Sequence, residues 1–331
     1  MAPLAGHSLS LDAKGDLSDL ALGARLTGTL RANLSGKVNV LEPNIPFDLL
    51  LNSKNLQWPI DTAAEYRLTS TALNARGSLK RYNATLKTSA SGDVIPDMAL
   101  STKLSGDLSE ITLSDFKLAT LGGDIAGTAN VGWADKVKWK TALDFNDIQP
   151  GLQWPEAEGK LSGQFKNDGE LTSQGGWKVN VPELDIQGVV RDQALTIVGQ
   201  VNASDVKGKG DIKVETQGLS LRHGPNQVAL TGRVDNTLDL NLKLNLPKLS
   251  ASLPQAGGSI QGDVALSGTL KKPTASMTLN AKTLRWEELV TVQSVNVRGS
   301  VTPLPIVGGG LIVDVTGLKA EGVDVSQLSL R

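Results

Sequence analysis

Two histidines, no cysteine and a scatter of single acidic residues are all the chain offers for conventional chemistry. A metal site needs ligands gathered around one ion. His7 and His223 stand more than 200 positions apart, so both are expected to be plain surface residues. Without cysteine there is no thiolate nucleophile, disulfide framework or iron–sulfur site. Glycoside hydrolysis would need two facing carboxylates, which a β-helix can assemble from adjacent coils. Asp235, Asp239 and Asp263 instead stand singly on the wet side of alternating stretches, and nothing singles out a pair. Gly308-Gly309-Gly310 lacks the Lys-Ser/Thr of a phosphate-cradling loop, and Gly122-Gly123 leads into alternation. Both are expected to be turn or bulge glycines. No catalytic residue, metal or cofactor is expected, and the chain is not expected to be an enzyme.

The elements must then matter for their surfaces. The 33 basic and 34 acidic residues give a net charge of -1, unlike the basic excess of a nucleic-acid binder. Glycine is frequent, with 35 residues, while Trp, Tyr and Phe number 6, 2 and 4. Such a chain suits extended sheet better than a densely packed core. Residues 1–12 have no basic cluster followed by an apolar run, so they do not read as a signal peptide. Residues 1–8 read as a terminus outside the fold. Pro305–Val313 is too short for a membrane-spanning helix. Apolar alternation at Val323, Val325, Leu328 and Leu330 runs to the end, the expectation for an excerpt of a longer protein.

Period two dominates. Leu20, Leu22, Ala24, Leu26, Gly28, Leu30, Ala32, Leu34, Gly36, Val38 and Val40 occupy successive even positions, with mainly polar residues between. Leu238, Leu240, Leu242, Leu244 and Leu246 repeat the pattern. This is the signature of strands with one apolar and one wet face. The best helical window, Asp61–Leu68, is short. The usual strand spacing predicts roughly 25 to 35 strands, in one continuous architecture without separate domains.

Degenerate repeats run through the pattern. Apolar–Ser/Thr–Gly–any–apolar occurs at residues 26–30, 34–38, 104–108, 161–165, 230–234 and 266–270, which places Leu266 and Leu270 with the other apolar positions. In each unit the glycine shares parity with the apolar residues, where it adds no packing. Sheet curvature, which crowds side chains on a concave face, is a physical reason to omit one. Asn52–Trp58 matches Asn280–Trp286 at four positions, and Leu56–Pro59 recurs unchanged as Leu152–Pro155. Trp58, Trp154 and Trp286 end apolar runs. They either plug the end of an apolar face or lie at its rim.

The alternating strands, the Ser/Thr-Gly units and the segment Ile260–Trp286 resemble the AsmA-like family of bacterial envelope proteins. The chain is similar throughout to an internal part of its member in the translocation and assembly module, the inner-membrane-anchored subunit. The resemblance implies an all-β fold, a long curved antiparallel or β-helical sheet folded into a taco-like periplasmic groove that is apolar inside. It implies phospholipids as cargo, passed between the two membranes, and a role with unfolded outer-membrane proteins. The outer-membrane partner, TamA, would be met through a C-terminal region outside this chain. The family brings no catalytic residues.

The residues themselves leave two architectures open: a closed β-helix or sandwich with a dry core, and an open groove. Few aromatics, glycines on the apolar face and sparse charge there favour the groove. By parity its lining is Leu26, Leu30, Leu34, Val38, Leu238, Leu240, Leu242, Leu244, Leu246, Leu266 and Leu270, with Trp58, Trp154 and Trp286 at the rim. A polysaccharide-active β-helix would need aromatic platforms, which two Tyr and four Phe supply poorly. An open sheet edge that accepts a client strand is the rival function.

Overall fold

The computed structural model describes residues 6–60 and 65–331. Among these there are 21 strands, three short 3-10 turns and no α-helix. The helical window falls partly on residues 61–64, outside the described residues. Its second half, from Tyr66, opens a strand. The strands are fewer than spacing predicts because many are long, up to 15 residues in Lys272–Trp286.

The chain divides into two compact units, with the boundary between Ser162 and Gly163. In the first unit the strands are β1 (Ser8–Lys14), β2 (Leu20–Thr27), β3 (Arg31–Val38), β4 (Phe47–Trp58) and β5 (Tyr66–Ser78). They continue as β6 (Arg81–Ser91), β7 (Met98–Gly106), β8 (Glu110–Thr120), β9 (Gly123–Gly132) and β10 (Lys138–Ile148). Each pairs antiparallel with the next in the chain. The boundary falls within β11 (Gly159–Leu171). The second unit continues with β12 (Trp177–Val190), β13 (Gln193–Asp205), β14 (Lys213–His223), β15 (Asn226–Val234) and β16 (Thr237–Leu246). Then come β17 (Ala256–Thr269), β18 (Lys272–Trp286), β19 (Val290–Thr302), β20 (Gly308–Ala320) and β21 (Val323–Leu330). From β12 onward the same neighbour-to-neighbour antiparallel pairing holds. A β-helix would stack parallel coils, so these ladders select the meandering sheet.

Tight turns set the register. Asp16, Asp107 and Asp235 each begin an Asp–any–Ser/Thr turn, whose carboxylate accepts the backbone N–H and hydroxyl two residues on. Asp235 is therefore a turn residue, not a wet-face strand position. Those hydrogen bonds hold all three carboxyls below the usual carboxylate range. Asp205, at 4% exposure, begins the turn after β13. Burial pushes its carboxyl up, but backbone N–H groups of residues 207–210 outweigh that and lower it overall.

The described residues form no dry core. Among the described residues only Leu30, Ala84, Ala256 and Ala281 are buried hydrophobics, and no large side chain is fully buried. The alternation produces a face of half-buried Leu and Val backed by exposed polar residues, as in β16, where the two classes alternate at all ten positions.

Candidate functional site

In the second unit the register joins the apolar positions into two rows across the sheet. One runs Leu221, Val228, Leu244, Gly262, Leu279, Val297, Val313 and Leu330, from β14 to β21. Beside it runs Leu219, Leu230, Leu242, Val264, Met277, Gly299 and Leu311. No ionisable residue interrupts either row. Two consecutive side chains on one face of a strand lie about 6.6 Å apart. The rows are thus a continuous apolar band two side chains wide. Leu238, Leu240 and Leu246 extend it along β16, and Leu240 meets Leu266 of β17. Leu270 lies outside the band, 55% exposed in the turn after β17.

Glycines in and beside these rows have a reason beyond crowding. Gly232 and Gly262 flank β16 with φ of 117° and 148°, in the range that favours glycine. A Cβ on Gly232 would fall on the Asp239 carbonyl, and one on Gly262 on that of Thr278. The neighbouring backbone already occupies the space.

The first unit carries Leu26 and Leu34 on its apolar face, half-buried, with Val38 at the end of β3. Leu30 is buried in the β2–β3 turn, 5% exposed. This unit also has a cleft of about 1160 Å³, bordered by eight consecutive strands, β2 to β9. Its walls on β8 and β9 are Lys117, Ala119, Asp124 and Ala126, while Leu118 and Ile125, which point the other way, are absent from the lining. On the other strands the lining includes Leu26, Ala32 and Leu100 of the apolar face, but most of it comes from the polar side of the sheet. Arg25, Arg31, Lys54, Lys87 and Lys117 border it, against one carboxylate, Asp124.

Trp58 and Trp286 stand at strand ends, 65% and 47% exposed. Trp154 does not end a strand. It lies between two 3-10 turns, Pro150–Leu152 and Pro155–Ala157, so Leu56–Pro59 and its copy Leu152–Pro155 adopt different structures.

The histidines are not plain surface residues. His7 is half-buried, with Nε2 2.8 Å from the Thr29 hydroxyl. His223 is 5% exposed, and its Nε2 donates to the Val190 carbonyl at 2.9 Å while Nδ1 lies 3.0 Å from Ser252 Oγ. The passing segment 248–252 buries it. Among the described residues no three His, Asp or Glu side chains could hold a metal.

The family model described as TamB, N-terminal domain, matches residues 1–331. The chain belongs to the TamB family. A relative in Haemophilus influenzae, translocation and assembly module subunit TamB, is 24% identical over 322 residues, 96% of this chain. The chain spans about a quarter of that relative's length, 24%. No solved structure matches. Among the described residues of this TamB-family chain, no helix is long and apolar enough to cross a membrane.

The basic cleft of the TamB-family sheet is not visible in the parity of the sequence. The five cations lie on five different strands, and only the register gathers them.

Proposed function

We propose that this chain is a periplasmic segment of a bridge-like lipid transfer protein, working within the translocation and assembly module. In this reading phospholipid acyl chains move along the apolar face. The observation that carries it is the uninterrupted pair of apolar rows across β14 to β20, with no large side chain fully buried among the described residues. Such a surface is prepared for an apolar occupant. At ~0.8 kcal/mol per buried methylene, two chains of ~16 carbons would gain on the order of 20 kcal/mol, an upper bound. A uniform band offers similar stabilisation at each step, so a lipid slides without first returning to water. The full-length protein would be anchored in the inner membrane and meet TamA at the outer one.

A photo-crosslinker at Leu242 tests this in cells. Capture of phospholipid is expected there and at Leu240 and Leu244. Silence at all three sinks the reading. Leu242→Arg should abolish transfer while preserving the circular dichroism of the sheet.

A second reading has one supporting observation. Among the described residues β1 pairs only with β2, and all seven of its residues are exposed. A sheet edge can add a strand from an unfolded outer-membrane protein. In that case Leu242→Arg would leave function intact, while proline substitutions in β1 would remove it.

A further inference from the structure

The five cations of the first unit's cleft stand on the polar side of the sheet, although Leu26 and Leu100 of the apolar side also border it. Arg31 and Lys54 are directly paired across β3 and β4. Like charges at facing positions destabilise a sheet. Their other cross-strand neighbour is uncharged in the case of Lys54, which faces Ser70. Among the described residues the Arg31 side chain donates only to the Gly28 carbonyl, at 3.3 Å. Other lysines in this unit do have acidic partners: Lys37 meets Asp19 at 2.8 Å and Lys103 meets Asp115 at 2.6 Å. Among the described residues, none of the five cations of the cleft has a carboxylate in ion-pair contact. In a chain of net charge -1, five cations against one carboxylate is a local concentration of positive field.

The neutral lining points the same way. Ser70, Ser89 and Ser101 offer hydroxyl donors, and Asn33 and Asn52 offer amides. Ala72, Ala99 and Ala119 keep the floor low. At about 1160 Å³ the cleft is somewhat larger than ordinary small-molecule sites, roughly 300–1,000 Å³. It has room for a molecule carrying an anion, not only for an ion.

We propose that this cleft binds a phosphate ester, with Arg31 and Lys54 sharing one phosphate between them. A guanidinium grips two phosphate oxygens in its fork, and an ammonium acts as a point charge on a third. The bound anion turns the repulsive pair into a bridged one. The phosphate could come from a lipid headgroup or a soluble ester, and the test separates these sources.

The purified chain is mixed with vesicles of phosphatidylglycerol and phosphatidylcholine, with vesicles of phosphatidylcholine alone, and with glycerol 3-phosphate. Vesicle flotation and isothermal titration are the readouts. Arg31→Glu, Lys54→Glu and the control Lys37→Glu are compared, with circular dichroism confirming the sheet. Removing one cation near an anionic surface should weaken binding by about fivefold, and reversing its charge by more. Binding to the anionic vesicles that both cleft variants lose and Lys37→Glu keeps supports a headgroup site. Binding of glycerol 3-phosphate alone, with the same variant pattern, supports a soluble ester. Equal loss in Lys37→Glu, equal binding to both vesicles without ester binding, or no binding to any probe overturns the proposal. These outcomes are independent of the Leu242 tests, which address the other unit and the other face.

Discussion

Asn55 and Thr283 hold the same position in two copies of one sequence unit, and both have left-handed backbone, with φ of 57° and 47°. Each follows an exposed lysine and precedes a half-buried leucine: Lys54-Asn55-Leu56 and Lys282-Thr283-Leu284. Pairing skips both residues and resumes at Leu56 with Leu68 and at Leu284 with Val292. Two consecutive exposed residues break the alternation and return the strand to the apolar side. Trp58 and Trp286 follow, both exposed and both at strand ends. Both copies of the unit thus carry a left-handed residue three positions before the tryptophan.

Asparagine tolerates the left-handed region, whereas a β-branched residue does so at a cost of about 1–2 kcal/mol. Thr283→Gly should therefore stabilise the second unit by up to about 1 kcal/mol, and Asn55→Val should destabilise the first by about 1–2 kcal/mol. Urea unfolding followed by fluorescence of the tryptophans measures both. A Thr283→Gly midpoint below that of the parent would show that the threonine side chain contributes more than its backbone strain costs.

Gly232 makes a sharper case. Its φ of 117° and the Asp239 carbonyl beyond it leave no place for a methyl group. Gly232→Ala should cost about 1–3 kcal/mol. Gly218 has nothing within 4 Å of an added Cβ and no positive φ, so Gly218→Ala should stay within about 0.5 kcal/mol of the parent. Matching denaturation midpoints for the two variants would mean that backbone approach is not what selects glycine at Gly232.

Much of this was legible in the sequence because a period of two maps directly onto a two-faced strand. Leu238 to Leu246 needed nothing more, and all five residues lie on one face of β16. Leu270 shows the limit: the repeat continues past Thr269, but the strand ends there and the chain turns. The cleft shows another. Arg31 and Lys54 are 23 positions apart, and only the length of the β3–β4 connection sets them opposite each other. His223 failed for a third reason. A His-Gly-Pro-Asn turn is ordinarily exposed, and nothing local announces that residues 248–252 will cross over it.

Acid should loosen the turns before the ladders. Asp107 and Asp235 titrate below the ordinary carboxylate range because backbone and hydroxyl donors favour the charged form. A depressed folded-state pKa adds stability above the unfolded value, and that stability is lost as pH falls through the folded one. Hydrogen exchange at Ser109 and Thr237 amides should accelerate, relative to strand amides, below about pH 4. Asp235→Asn should remove that pH dependence at Thr237 and leave it at Ser109.

The buried corner around His223 ties β12, β14, β15 and the segment after β16 together. His223 Nε2 uses its proton on the Val190 carbonyl, so Nδ1 accepts from the Ser252 hydroxyl at 3.0 Å. Asn226, 3% exposed, donates to Ser252 Oγ and to the Lys248 carbonyl at 2.8 Å each, and accepts from the Lys248 N–H at 3.1 Å. Arg191 donates to the Ser252 carbonyl at 2.7 Å. Truncating His223 to Ala leaves buried polar partners unmet, at about 1–3 kcal/mol. Ser252→Ala removes the hydroxyl that both His223 and Asn226 use, so the two substitutions should be non-additive, with a coupling of about 0.5–3 kcal/mol. A double-mutant cycle by urea denaturation gives the number. Strict additivity would mean that the two side chains stabilise the corner separately, and that the His223–Ser252 hydrogen bond contributes nothing to holding residues 248–252 over the sheet.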